Sequence, residues 1–457
     1  MADYLEGVES YPVRAQVKPG EIAGKLATSP PAEGEDMAAI FADFKRDVLP
    51  GITHWQHPNF FAYFPANASP PSILAEMLTA TLAAQCMLWQ TSPAATEMET
   101  RMINWLRQMI GLPEGFQGVI QDSASSAILC AILTAREKAS DWHGNRSGLA
   151  DLPPLAVYTS QETHSSTEKA VKIAGLGAKQ LRKIATDADF ALRPEALEAA
   201  IRADRDAGIT PACVVASLGA TGVGAVDPLR PIGEICRRHD IFLHVDAAWA
   251  GSALILPEQR WMMDGAEYVD SLVFNPHKWL LTNFDCSAHF VRDAEALVRT
   301  LTIQPEYLKS PEGTRVIDYR DWSVPLGRRF RALKLWFVIR SYGVERLQAM
   351  IRAHIDWTAA LAQAIAAEPD FELTSPAKLA LLSFRYRPED GADPAALDAL
   401  NERLLAELND SGRLYLTQTR LRGQYVIRFA VGQTYTRQHH IDAAWAFIKE
   451  TARSLPR

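Results

Sequence analysis

The sequence predicts an α/β protein, with a large domain built on a mostly parallel sheet and a small C-terminal α+β domain. Two observations support this fold class. Between about residues 71 and 300, short continuous apolar runs alternate with helical stretches, as expected for strands buried on both faces. The runs from residue 213 onwards also begin roughly 28–30 residues apart, which is the length of one βαβ unit.

The first segment, residues 1–70, is predicted to form a helical arm. Pro30 and Pro31 interrupt the chain ahead of the helical stretch MAAIFADFKRDVLPGI. Its apolar residues recur at helical spacing, namely Met37, Ile40, Phe41, Phe44 and Val48. Such an arm often packs on a partner subunit because it cannot bury its apolar face alone, although packing on its own chain explains the pattern about equally well.

The large domain is predicted over residues 71–360. Helices are expected at 73–88, 96–111 and 193–206, and the last of these begins at Pro194 and is closed by Gly208. Strands are expected at 155–159, 181–184, 213–218, 241–245, 271–274 and 288–291. A long helical stretch after Pro325 contains Gly343, where we expect a break.

The pattern of apolar runs and helices changes in the last segment, residues 361–457. Apolar runs at 379–384, 413–416 and 425–431 precede a final helix at 438–453. This order predicts a small domain in which helices cover an antiparallel sheet.

Composition excludes several classes of protein. The chain has 457 residues and a net charge of −7, with 48% hydrophobic and 22% charged residues, so neither general disorder nor nucleic-acid binding through net charge is expected. No apolar stretch is long enough for a membrane span, and the acidic N-terminus does not resemble a secretory signal. Five scattered cysteines without a C-x-x-C pair indicate free thiols, and therefore a cytoplasmic protein.

Two residues at the carboxyl ends of neighbouring predicted strands suggest the chemistry. Asp246 ends the strand in IFLHVDAAWAGSALI, and Lys278 follows the next strand in NPHKWLL. Taken singly, the aspartate could equally be a helix N-cap, and a lysine extending from an apolar patch to water is the commoner case. Ligands bind at this edge of open α/β sheets. There, a desolvated lysine able to form a Schiff base and a carboxylate facing a pyridinium nitrogen are the two groups that pyridoxal phosphate needs.

Two further segments suit the same cofactor. In VIQDSASSAILCAIL, small hydroxylic residues precede an apolar helix expected to begin near Ala127, and a helix N-terminus suits a phosphate, although a plain serine N-cap is the commoner explanation. In YTSQETHSSTEKA, His164 lies between a strand and a helix that begins near Ser165. Its ring could stack on a planar cofactor, although a lone loop histidine is more often a surface group.

Competing motifs are weaker. GATGVG at residues 219–224 has the wrong glycine spacing for a dinucleotide fold, and no G-x-S-x-G elbow is present. His54 and His57 have metal-like spacing without an obvious third ligand, so no metal site is predicted. The basic residues after Gly327 are too few for nucleic acid and are expected to be solvated or paired.

Taken together, the motifs resemble the pyridoxal-phosphate-dependent aromatic-L-amino-acid decarboxylases, the group II decarboxylase family. The resemblance rests on HVDAAWAGSA, NPHKWLLTNFDCS, PGITHWQHPNFFAYFP, SPAATEMETRMINWL, THSSTEKA and PLGRRFRALKLWFVIRSYGV, and it extends over nearly the whole chain. It implies fold type I with a seven-stranded sheet in the large domain. It also implies a tight homodimer with active sites at the subunit interface.

The resemblance supplies roles for the cofactor site. Lys278 matches the lysine that binds the cofactor, Asp246 the carboxylate that keeps the pyridine nitrogen protonated, and His164 the histidine stacked on the ring. Further cofactor contacts are implied for Ala124, Ser125, Ser217, Asn275 and His277. The first two match the phosphate-binding turn, and Ser217 stands where many relatives have threonine.

The resemblance also supplies a substrate pocket. Trp55, Tyr63, Pro65 and Ala66 match its N-terminal part, together with His164. Tyr307, in PEYLKS, matches a loop tyrosine that protonates the substrate carbon. The sequence departs from the family pattern at Ala66, where threonine is found in animal members, and at Met87, where a pocket aromatic is common, so the substrate is less well defined. Asp122 stands where animal members have glycine, which suggests a bacterial-type member.

The implied function is decarboxylation of tryptophan, tyrosine, phenylalanine or dopa to the arylalkylamine and CO2. Gly327 leaves room near a position of the substrate pocket and therefore favours acceptance of indole rings, although family members with glycine at this position also accept catechols. Three alternatives are oxidative decarboxylation to an aldehyde, an acidic amino acid as substrate, and a catalytically silent protein on the same fold. Retention of His164 and Tyr307 favours simple decarboxylation, and the aromatic segment HWQHPNFFAYFP favours an apolar pocket.

Overall fold

The computed structural model describes residues 2–303, 315–388 and 393–455. The chain divides into a larger compact unit, residues 67–355, and a smaller one, residues 1–66 with 356–457. The predicted division at residues 70 and 360 stays a prediction. The helices are α1 Ala2–Glu6, α2 Glu21–Lys25, α3 Met37–Asp43, α4 Pro70–Leu82, α5 Pro93–Met109, α6 Ala124–Ala139, α7 Gly144–Ser147, α8 Ser165–Ile173, α9 Pro194–Asp206, α10 Leu229–Arg238, α11 Pro276–Trp279, α12 Ala294–Leu301, α13 Arg331–Ala366, α14 Pro394–Asp410 and α15 Gln438–Ser454.

The larger unit is built on a seven-stranded sheet. Its strands are β1 Gln117–Gln121, β2 Leu155–Ser160, β3 Leu181–Ile184, β4 Thr210–Ser217, β5 Phe242–Asp246, β6 Ser271–Phe274 and β7 Ser287–Val291. Their order is β1-β7-β6-β5-β4-β2-β3, and β7 runs antiparallel to both of its neighbours while the other pairs are parallel. The predicted fold class, a mostly parallel sheet in the large domain, is therefore confirmed.

Buried apolar side chains attach helices to this sheet. Ile128 and Ile132 on α6 belong to one core cluster with Val157, Val215 and Val273 from three strands. Consecutive residues of β2, β4 and β6 are buried, so both faces of these strands are covered, which explains why they appear in the sequence as continuous apolar runs rather than as an alternating pattern.

The structure corrects several element boundaries in this unit. Strand β1 was not predicted, because Gly118 and two glutamines leave only a two-residue apolar run. The helix expected at 73–88 ends at Leu82, where Ala83 takes a left-handed conformation with φ of 50°. Helix α6 begins at Ala124, three residues before the predicted start. The break at Gly343 is confirmed, with φ of 70° inside α13.

The smaller unit contains an antiparallel sheet, as predicted, and this sheet has four strands. Its strands are β8 Phe371–Lys378, β9 Leu381–Tyr386, β10 Thr417–Leu421 and β11 Gln424–Ala430, in the order β10-β11-β9-β8. The run at 379–384 corresponds to β9, which begins two residues later than predicted because Leu379, with φ of 53°, lies in the turn between β8 and β9. The run at 413–416 was wrong, because the edge strand is the mostly polar segment TQTRL that follows it.

Within residues 2–303, 315–388 and 393–455, no helix has both the length and the apolar character needed to span a bilayer.

Candidate active site

The site residues of the larger unit lie at the carboxyl edge of its sheet. Ser217 ends β4 and is paired in register with Asp246, which ends β5. Asp246 is in turn paired with Val273 on β6, two residues before Asn275. Helix α11 begins directly after Asn275 and carries His277 and Lys278. The parallel register therefore brings the predicted aspartate and lysine to adjacent strands at one edge, because parallel strands end on the same side.

Asp246 is a largely buried carboxylate, with 8% of the residue exposed. Its Oδ1 accepts a hydrogen bond from the N–H of Ala248 at 3.0 Å, and its backbone carbonyl accepts one from Leu218 at 2.9 Å. These bonds fix the side chain at the strand end. A buried carboxylate in this position is suited to a cationic partner, because an ionised group out of water is stable only when paired or hydrogen-bonded.

His164 caps the N-terminus of α8. Its Nδ1 accepts a hydrogen bond from the backbone N–H of Ser166 at 3.2 Å, which assigns the proton of the neutral ring to Nε2. Burial, followed by the positive charge of Lys278, lowers the pKa of His164, while Asp246 acts in the opposite direction. The ring is therefore neutral at physiological pH and is influenced by both of the other predicted catalytic groups.

Lys278 is half-buried on a helix of a single turn. Its backbone N–H donates to the carbonyl of Asn275 at 2.9 Å, and the backbone N–H of Asn275 donates to the carbonyl of Ala248 at 2.9 Å. His277 is buried, and its Nδ1 accepts from the N–H of Cys286 at 2.9 Å. Burial, and then the charge of Lys278, lowers the pKa of His277 to about 3, so its imidazole is neutral at physiological pH.

The turn between β1 and α6 lies at the same edge of the sheet, because β1 runs parallel to β6. The Ser123 side chain caps α6 by accepting the N–H of Ser126 at 3.3 Å. Ala124 is buried, whereas Ser125 in the first turn is exposed. The first turn of this sixteen-residue helix presents backbone N–H groups that its own carbonyls cannot satisfy, and these suit a phosphate.

Three supporting residues were not predicted. Thr163 places its hydroxyl 3.1 Å from that of Ser217. Buried Asp227 accepts the N–H of Ser217 at 2.7 Å and that of Leu192 at 2.8 Å, and burial raises the pKa of its carboxyl to about 6. Ser287 on β7 donates to the side-chain oxygen of Asn275. Only Asp227 had a sequence signal, since it ends the glycine-rich turn GATGVGAVD.

The predicted substrate residues Trp55, Tyr63, Pro65 and Ala66 belong to the smaller unit. The rings of Trp55 and Tyr63 are stacked with centroids 5.7 Å apart, and both side chains are exposed. Tyr63 has a left-handed φ of 49°, which is uncommon for an aromatic residue. Pro65 packs closely on Gly432, because a Cβ added to this glycine would lie 2.6 Å from the Pro65 ring. The carbonyl of Ala66 accepts a hydrogen bond from the side-chain amide of Gln56 at 2.7 Å. Tyr307 lies outside the described residues.

This set of groups fits pyridoxal phosphate. A half-buried lysine, a buried carboxylate and a neutral imidazole act on one another at one sheet edge, and a helix N-terminus suited to a phosphate opens at the same edge. The sheet order and these groups together define a pyridoxal phosphate enzyme of fold type I.

Comparison with known proteins gives the family. The model described as the pyridoxal-dependent decarboxylase conserved domain matches residues 19–387. Tryptophan decarboxylase 2 of Oryza sativa subsp. japonica is 41% identical over 465 residues, covering 100% of this chain and 93% of that protein. Tyrosine decarboxylase 1 of Narcissus pseudonarcissus is 42% identical, covering 100% and 90%. The crystal structure of Oryza sativa TDC with PLP and tryptamine has a TM-score of 0.96 at 39% identity, covering 99% and 95%.

The chain belongs to the pyridoxal-dependent decarboxylase family. The predicted family, fold type I, cofactor and class of enzyme, a carboxy-lyase, are confirmed. The two relatives are plant proteins and leave the bacterial-type pattern at Asp122 as a prediction.

Proposed function

We propose that this protein decarboxylates an aromatic L-amino acid, tryptophan, tyrosine, phenylalanine or dopa, to the arylalkylamine and CO2. The observation that carries the proposal is the pairing of Ser217, Asp246 and Val273 in adjacent strands, with Lys278 on the turn that follows. The names of the full-length relatives, tryptophan and tyrosine decarboxylases, support the aromatic substrate.

The side chains of the larger unit have distinct tasks in this proposal. Lys278 would hold the cofactor through its side-chain amine. Bound pyridoxal phosphate supplies an electron sink for the electron pair left at the substrate Cα when CO2 departs. Asp246 holds a proton at the pyridine nitrogen through its fixed carboxylate, and neutral His164 packs on the ring. Without the buried carboxylate, the ring nitrogen would lose its proton more readily.

The remaining predicted residues hold the phosphate and the substrate. Ala124 and Ser125 bind the phosphate through the first turn of α6, Asn275 and His277 lie near the phosphate and the lysine, and Ser217 is a further cofactor contact. Trp55, Tyr63, Pro65 and Ala66 form the apolar part of the substrate pocket. Tyr307 acts as the general acid that returns a proton to Cα.

Substitution of the lysine tests the proposed reaction. We expect Lys278→Ala to abolish amine formation from every aromatic substrate, because the cofactor loses its covalent attachment and the lysine can no longer release the product. Lys172→Ala is the matched control, since Lys172 is exposed on α8 and pairs with Glu168 on the same helix. Release of CO2 and amine at the native rate by Lys278→Ala would contradict the assignment.

Oxidative decarboxylation is a second candidate. Phenylacetaldehyde synthase of Arabidopsis thaliana is 42% identical and covers 100% of this chain and 94% of that protein. A panel of tryptophan, tyrosine, phenylalanine, dopa and glutamate, read out as amine, aldehyde, ammonia and peroxide, separates the two reactions and tests the acidic alternative. We expect amine alone from the native enzyme, and aldehyde with ammonia and peroxide from Tyr307→Phe.

We also propose a homodimer in the cytoplasm. Helix α3 exposes Met37, Ile40 and Phe41, of which Met37 is 72% exposed, and a solvated monomer would leave this apolar surface in water. In the larger unit, α4 separately exposes Leu74, Met77, Leu78 and Leu82. All five cysteines are free and buried, in keeping with a reducing compartment. Sedimentation should give a dimer for the native chain and a monomer for Phe41→Glu; a native monomer would contradict the proposal.

A further inference from the structure

The short segment of residues 67–69, which precedes α4 and which we call the lysine clamp, is hydrogen-bonded to the turn that carries Lys278. The side-chain amide of Asn67 donates to the carbonyl of Lys278 at 2.8 Å, and its backbone N–H donates to the carbonyl of His277 at 3.1 Å. The hydroxyl of Ser69 donates to the carbonyl of Leu281 at 2.7 Å. We propose that Asn67 is a positioning residue, which holds the backbone of Lys278 so that its amine is aimed at the reacting carbonyl.

The clamp is needed because the turn that carries Lys278 is too short to satisfy its own backbone carbonyls. Helix α11 has only four residues, so its last carbonyls have no partner within the helix. Leu281, just beyond the turn, has a left-handed φ of 54°, a conformation that a branched side chain adopts only when its surroundings impose it. The clamp supplies donors to three carbonyls between residues 277 and 281.

Burial makes these bonds difficult to replace with water. Asn67 is 1% exposed and Ser69 is fully buried. Loss of the Asn67 amide would remove this donor from the Lys278 carbonyl, and the loss of a hydrogen bond made by a buried amide favours rearrangement of the backbone. The direction of the Lys278 side chain follows from its backbone, so such a rearrangement would displace the amine.

The opposite side of the turn is fixed independently. The backbone N–H of His277 donates to the carbonyl of Cys286 at 3.2 Å, and that of Lys278 donates to Asn275. Removal of the Asn67 side chain should therefore loosen one side of the turn without unfolding it. We expect the effect to appear in the reacting lysine and not in binding of the aromatic ring.

The test uses the full-length holoenzyme with Asn67→Ala and the isosteric Asn67→Asp, whose carboxylate cannot donate to the Lys278 carbonyl. The matched control is Asn401→Ala, because Asn401 is also buried and also donates to a backbone carbonyl, that of Tyr386 at 2.9 Å, but lies in the smaller unit. Three readouts are compared. They are the pH titration of the visible absorbance band of the lysine–cofactor linkage, hydrogen exchange of a peptide spanning residues 276–281, and kcat and KM.

Both Asn67 variants should shift the titration of the absorbance band and accelerate exchange of the peptide. They should lower kcat about tenfold, as for one lost hydrogen bond, with KM changed less than about twofold. Asn401→Ala should lower thermal stability without moving the band. Unchanged absorbance, exchange and kcat in Asn67→Asp would overturn the proposal, as would the same band shift in Asn401→Ala.

This inference rests on the proposed role of Lys278, and the readouts separate the two. If the native protein forms the visible band but does not decarboxylate aromatic amino acids, the proposed substrate is wrong, and the absorbance and exchange changes still test the clamp. If the native protein decarboxylates them and Asn67→Asp behaves as native, only the clamp is wrong.

Discussion

Replacement of Glu99 by glutamine should destabilise the larger unit through a buried ion pair. Glu99 on α5 accepts a hydrogen bond from the guanidinium of Arg328, and both side chains are almost wholly buried, at 3% and 2% exposure. The same carboxylate oxygen accepts the N–H of Ile120 at 2.8 Å, and Arg328 donates to the Ile120 carbonyl at 3.0 Å. The pair therefore fixes the end of β1, just before the turn that leads to Ala124 and Ser125.

The expected loss in the free energy of unfolding follows from the groups that remain buried after the substitution. Glutamine retains an acceptor for Ile120, but the Arg328 charge stays buried without its counter-ion, and breaking a buried pair in this way costs about 3–5 kcal/mol. Because Arg328 keeps its bonds to Ile120 and Ser323, we expect a value near the lower end, about 3 kcal/mol. With an unfolding entropy of about 0.6 kcal/mol/K for a unit of roughly 290 residues, the expected loss in Tm is about 5 °C.

Differential scanning calorimetry of the holoenzyme measures this loss, with the exposed Glu234→Gln as control. The double variant Glu99→Gln with Arg328→Met removes both charges, so it should be more stable than the sum of the two single effects predicts, by at least about 2 kcal/mol. Additive effects in the double variant, or a Tm shift for Glu99→Gln no larger than that of Glu234→Gln, would refute the reasoning.

Three other outcomes are expected. Burial holds His244 and His289 neutral in the fold, lowering the pKa of His289 to about 3, so below pH 6.5 the unfolded chain binds protons that the folded chain does not. The free energy of unfolding should therefore fall as the pH drops, by about 1.4 kcal/mol per pH unit for each histidine. Calorimetry of His289→Leu between pH 7 and 5 should show a weaker dependence of stability on pH, and an unchanged dependence would contradict this role of His289. Asp227→Ala leaves two buried N–H donors unpaired and should cost about 2–6 kcal/mol in urea unfolding, whereas a loss below about 1 kcal/mol would contradict this role. Asp246→Ala should retain less cofactor on dialysis and lower kcat at least about a hundredfold, and retention of native kcat would exclude its role at the ring nitrogen.

Much of the fold and the principal site residues were predictable from local patterns. Continuous apolar runs located six of the seven strands of the larger sheet, because strands buried on both faces need apolar side chains at every position. The motifs around His164, Asp246 and Lys278 were readable because each follows a recognisable strand. Strands β1, β8 and β10 were missed, since all three are rich in polar residues and contain no long apolar run.

The sequence by itself determined the fold class and the family, and it predicted the catalytic lysine, aspartate and histidine. Only the tertiary structure decided which polar residues support them. Asn67 and Lys278 are 211 positions apart, and Glu99 and Arg328 are 229 apart, so no local spacing pairs them. A buried asparagine or glutamate has the same letter in the sequence as a solvated one. Its burial, and therefore the free energy of its hydrogen bonds, is set by which distant segment packs against it.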